Sequence, residues 1–119
     1  YHTLHANTWI KKLGSATEES ITRLQNSLNY AMPYALGIFE ESPYEKVLID
    51  SQIFEGEFAL KQQWVQKIEA CISQTKLQLP DWKIVTPIYG GRVGNHTAHL
   101  QPLLDEMSEV FRIDPTAEW

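Results

Sequence analysis

Residues 21–39 read ITRLQNSLNYAMPYALGIF, and this stretch decides the fold. Ile21, Leu24, Leu28, Ala31, Ala35 and Ile38 recur in alternating steps of three and four. That spacing gathers apolar side chains on one side of a helix with 3.6 residues per turn. Tyr30, Met32, Tyr34 and Phe39 widen the stripe, so this helix is expected to face more than one neighbour. Pro33 removes a backbone donor inside it, which costs about 3 kcal/mol in a helix interior, and a kink is expected between Asn29 and Pro33.

Working outward, Ser15 and Glu18 stand in capping-box relation and predict the start of this helix. Before them, His2, His5, Ala6, Trp9 and Leu13 share a helical face, and Gly14 is expected to end that first helix in a left-handed conformation. Downstream, the acidic segment around Pro43 and Gly56 predicts a connector with one short helix near residues 44–50. A third long helix is written from Glu57 by Leu60, Trp64, Ile68, Cys71 and Ile72, flanked by Phe58 and Val65, with an outward Glu57–Lys61 pair. It fades after Gln74.

Residues 76–95 contain Pro80, Pro87 and three glycines, which excludes another helix and predicts an ordered loop pinned by Trp82 and Tyr89. A last helix carries Leu100, Leu103, Leu104, Met107, Val110 and Phe111 on one side, with Pro102 near its start. The sum is an all-α chain of three long helices, a short connector helix and an ordered Gly/Pro loop.

Composition narrows the function. A net charge of −5 removes the electrostatic driving force for nucleic-acid binding. One cysteine closes no intrachain disulfide, and no apolar run is long enough for a membrane span or export signal, so a cytoplasmic location is expected. Residues 1–119 form one helical segment. Its opening in mid-pattern at Tyr1-His2 suggests part of a larger domain.

Two HxxH pairs, His2 with His5 and His96 with His99, are the candidate metal ligands, since imidazoles three apart on a helix can meet one ion. Zinc usually takes three or four protein ligands. A di-iron bundle needs a Glu from each of two helices and an ExxH from each of the other two. No ExxH occurs, and the inward faces of the second and third long helices are expected to lack carboxylates, so His2 and His5 read as core-edge histidines with hydrogen-bond partners. The rival reading is a metal-dependent enzyme using His2 and His5 with acids supplied from elsewhere.

The segment GGRVGNHTAHLQPLLDEM, residues 90–107, offers a second candidate. Gly90, Gly91, Arg92 and Gly94 before a helix could present amides and a guanidinium to an anion, or form a turn in which glycines adopt positive φ. The segment matches no established phosphate-binding glycine motif. Cys71 on an apolar helix face reads as packing rather than as a nucleophile.

This segment, together with YHTLHANTWIKKLGSATEES at residues 1–20 and a chain that closes at Trp119, resembles the PaaC family of bacterial phenylacetyl-CoA epoxidase subunits. The resemblance spans the chain but matches the carboxy-terminal half of a PaaC protein. It implies a ferritin-like helical bundle without di-iron ligands, serving a multicomponent monooxygenase as a structural partner. In that family's complex a separate catalytic subunit binds iron and phenylacetyl-CoA, an NADPH-linked reductase supplies electrons, and the aromatic ring is epoxidised.

The resemblance thus implies no cofactor on this chain and, as its partner, the catalytic di-iron subunit of the epoxidase complex. Arg92, His96 and His99, with the glycines around them, become the expected docking loop, or a hold on a coenzyme A phosphate. Ala98 departs from the Glu common in that signature, so a salt bridge made by that Glu would be missing. Three long helices with wide apolar stripes also predict self-association.

Overall fold

The computed structural model describes residues 1–118, and Trp119, which the resemblance cites, lies outside the described residues. The chain divides into two compact units, residues 1–89 and the residues from Gly90 onward. In the first unit the long helices are α1 (His2–Leu13), α2 (Glu18–Gly37) and α4 (Glu57–Ile72), with the connector helix α3 (Glu45–Asp50) between the last two. The second unit holds a 3-10 turn (Gly91–Val93), α5 (Leu100–Met107) and α6 (Glu109–Ile113). This is the expected all-helical class, and no described helix is long and apolar enough to cross a membrane.

Helix α2 begins two residues later than its expected capping box. Thr17, not Ser15, is the N-cap, and its hydroxyl accepts the Ser20 amide at 3.2 Å. Ser20 Oγ donates back to the Leu13 carbonyl at 2.7 Å, which ties the end of α1 to the start of α2. Gly14 differs from expectation too: it is right-handed, with φ −73°. Its small size answers a packing need, because a Cβ there would meet Ile10 O at 2.7 Å and Leu77 Cδ1 at 2.9 Å. The Lys76 amide donates to the Gly14 carbonyl at 2.9 Å, so the chain after α4 closes over this corner.

Pro33 is accommodated inside one continuous α2. The Ile88 amide donates to the Pro33 carbonyl at 3.0 Å, and the Ile88 carbonyl lies so close to Gly37 that a side chain there would collide with backbone. The buried line of α2 is Met32 and Leu36, with Leu36 at 0% exposure, whereas Ala31 and Ile38 of the expected seam are exposed. Ile21, Leu24, Leu28 and Ala35 of that seam are half-buried, so the expected stripe holds along most of α2, and its deepest positions shift to Met32 and Leu36. Leu77, in a segment read as loop, is buried with Cys71 and Ile72 and completes this small core.

The loop is pinned by Trp82, as expected. Its indole donates to Glu69 Oε1 at 2.8 Å, and its ring meets Trp64 edge-on at 5.9 Å; Trp64 in turn touches Phe39 at 5.5 Å. Tyr89 is exposed and pins nothing of this kind. Gln25 adds a second clamp. Its side-chain amide donates to the Gln78 carbonyl at 2.8 Å and accepts the Gln78 amide at 2.8 Å, imitating a strand partner for a stretch of extended backbone.

Two further expectations change. Glu57 is buried at 8% exposure rather than turned outward, so the inner side of α4 does carry one carboxylate. Its amide, like the others of a first helical turn, has no acceptor within the helix. It donates instead to Glu45 Oε1 of α3 at 2.8 Å, a cap supplied from outside the helix. The last helix is broken at Ser108 into α5 and α6. Ser108 Oγ bonds the Leu104 carbonyl, competing with the helical ladder as mid-helix serines do.

Candidate functional site

The turn at Gly90–Asn95 is built by two glycines with positive φ, Gly90 at 111° and Gly94 at 88°. These values suit glycine and burden any residue with a Cβ, and a Cβ on Gly90 would also meet Asn95 Cβ at 2.9 Å. Between them the Gly90 carbonyl accepts the amides of Val93 at 3.1 Å and Asn95 at 2.9 Å, closing a tight loop. The Val93 and Asn95 amides thus serve the turn itself, and α5 begins only at Leu100. The glycine-turn reading made from sequence describes this geometry.

Arg92, His96 and His99 are all exposed. His96 lies in irregular backbone and His99 is the residue before α5, so this HxxH pair does not sit on one helix as the spacing suggested. His2 and His5 do share α1, but they are exposed rather than at a core edge. Their contacts are aromatic: His2 meets the Tyr1 ring edge-on at 5.5 Å, and His5 lies between Tyr1 at 6.0 Å and Trp9 at 6.2 Å. Instead, α1 faces α4 through Asn7, whose Oδ1 accepts the Cys71 thiol at 3.4 Å.

A di-iron centre tests the interior most directly. The buried side chains are Met32, Leu36, Cys71, Ile72, Leu77 and Glu57, and among the described residues no three His, Cys, Asp or Glu are grouped to hold an ion. One acid among apolar packing does not match a ligand set of carboxylates and imidazoles converging from four helices. These residues do not fit the group.

Two aspartates of the second unit are shifted by their hydrogen bonds. Asp105 accepts from Gln101 Nε2 and Arg112, both at 2.9 Å, and these bonds hold its carboxyl below the usual carboxylate value of 3.8. Asp114 is lowered likewise by the Thr116 hydroxyl and amide. In the first unit the Tyr34 hydroxyl is raised by its hydrogen bond with, and the charge of, Tyr30.

Fold and site together define an all-helical protein with a packed apolar interior and a tightly closed glycine turn. The chain belongs to the phenylacetic acid catabolic protein family that comprises PaaA and PaaC, whose model matches residues 1–119. It is similar to the C subunit of 1,2-phenylacetyl-CoA epoxidase from Escherichia coli K12, with 27% identity over 119 residues. The match covers 100% of this chain and 47% of the relative, so the chain spans about half the length of the curated relative it matches.

Proposed function

We propose that this chain is a non-catalytic structural subunit of a ring-epoxidising phenylacetyl-CoA monooxygenase. It supports a di-iron catalytic partner and leaves iron chemistry and NADPH-derived electrons to the other components. The observation that carries this reading is the interior. Where an oxygen-activating bundle converges its acids and histidines, this chain buries Met32, Leu36, Cys71, Ile72 and Leu77, with Glu57 as the one buried acid among the described residues. Likeness to an epoxidase component of the PaaC type supplies the complex in which such a protein has a role.

The docking element is the turn at Gly90, Gly91, Arg92 and Gly94 with His96 and His99 behind it. Its backbone is fixed by two glycines in left-handed geometry, while Arg92 and both histidines are exposed. The Gly90 carbonyl closes this turn by accepting the Val93 and Asn95 amides, so its backbone is ordered by its own hydrogen bonds. Arg92→Ala combined with His96→Ala, in protein co-expressed with the di-iron catalytic partner, is expected to abolish co-purification while circular dichroism stays unchanged. Undiminished complex formation refutes docking through this turn. Coenzyme A binding that disappears with Arg92→Ala would assign the turn to a phosphate instead.

A further inference from the structure

We propose that α3 is a flap that opens away from the start of α4, with the Glu45 carboxylate as its latch and residues 52–56 as its hinge. It is independent of the glycine turn at Gly90–Asn95. Little packing holds α3 down: none of its residues is buried, and Val47, Leu48 and Ile49 are exposed. Among the described residues one hydrogen bond joins α3 to α4, from the Glu57 amide to Glu45 Oε1 at 2.8 Å. Gly56 provides the seat for this contact, because a Cβ there would meet Glu45 Oε1 and Ile49 Cδ1, each at 3.1 Å. A segment with so few buried contacts belongs to the part of a protein that opens locally, far below the cost of global unfolding.

The closed flap holds two unfavourable features. Glu45 Oε2, the second oxygen of the latch, is shielded from solvent and has no hydrogen-bond donor. Such an atom gives up hydration without replacement, and it regains water when the flap lifts. Gln52 has φ 57°, in the left-handed region that side chains disfavour, and is the one non-glycine residue of positive φ among the described residues. It stands where glycine is usual. Its amide donates to the Ile49 carbonyl at 2.9 Å and the Ile53 amide to the Leu48 carbonyl at 3.0 Å, the double closure that ends many helices. Gly56 follows at φ 96°, so both ends of the hinge hold left-handed backbone. Strain of this kind collects in segments that switch. Against it stands the charge-assisted bond at the amino-terminus of α4, which favours closure. Lifting α3 hydrates Oε2, releases Gln52 and uncovers the amide of Glu57, the one buried acid among the described residues. The flap thus couples a surface helix to the buried first turn of α4.

Amide hydrogen exchange resolved by residue tests the flap. The Glu57 amide, held by Glu45, is expected to share the modest protection of Ser51 and Ile53, roughly ten-fold or more below that of Ile68 and Ile72 further along α4. Glu45→Ala should lower protection at Ser51 and Ile53 by about ten-fold and leave Ile68 and Ile72 unchanged. Gln52→Gly relieves the left-handed strain of the closed state and should act in the opposite direction, raising protection at Ser51 and Ile53 by about three-fold or more. Unchanged circular dichroism controls for folding in both variants. A Glu57 amide as protected as that of Ile68 overturns the proposal. So does a Glu45→Ala protein whose α3 exchange is unaltered or whose protection falls equally throughout α4, or a Gln52→Gly protein in which α3 exchanges no more slowly.

Discussion

The α2–loop seam and the α5–α6 segment are both written in strong apolar patterns, yet they end in opposite environments. Along the seam, Met32, Leu36 and Leu77 are buried, and the returning loop is held by Gln25 and by the Pro33 carbonyl. Along α5 and α6 no residue is buried. Amphipathic spacing states that a face needs covering; whether its own chain covers it depends on backbone that returns close enough. Gly37 and Gly14 permit that return at the seam, by giving up the side chains that would block it.

Breaking the seam should give the largest effect. Leu36→Ala empties a fully enclosed site, and denaturant unfolding is expected to show a loss of about 2–5 kcal/mol. Gly37→Val, which forces a branched side chain onto the Ile88 carbonyl, should cost about 1–3 kcal/mol by the same measurement. Gln25→Ala removes both bonds to Gln78 and should cost about 1–2 kcal/mol, with faster amide exchange at Gln78. An equal cost for Gln25→Ala and a neighbouring Asn26→Ala would show that the clamp contributes nothing specific.

The α5–α6 segment should respond differently. Leu103→Asp with Met107→Asp is expected to change monomer stability by no more than about 0.5 kcal/mol, as exposed substitutions do, while reducing association. The smallest effect concerns acid. Asp105 is held below 3.8 by Gln101 and Arg112, so its contribution is fully present above that value and is lost as the pH falls through the lower folded value. Amide shifts of α5 and α6 in an acid titration should move together in that window, and in Asp105→Asn the coupled movement should vanish.

This contrast also explains what could be read from sequence. Helix existence was legible wherever apolar periodicity was long: α1, α2 and α4 appear where expected, as does the short α3. Which stripe residues become buried was not, since Met32 and Leu36 win over Ala31 and Ile38 through a backbone approach at Ile88 that periodicity does not encode. Glu57 illustrates the same limit. Its place at the buried start of α4 depends on a cap from Glu45, twelve positions away, which no local spacing announces.

At the candidate site, the glycines of the turn were legible because positive φ selects them, and Gly90 and Gly94 adopt it. The HxxH spacing at His96 and His99 suggested a shared helix that the backbone does not form, because α5 starts after both. The break at Ser108 carried only a weak signal: a serine placed to bond the carbonyl four residues back.

Elemental analysis of the purified protein, kept apart from any catalytic partner, tests most directly whether this interior packs rather than ligates. The account predicts iron far below one atom per chain, with iron appearing only in preparations that retain the partner. Two irons per chain, lost together with fold when chelated, would contradict it.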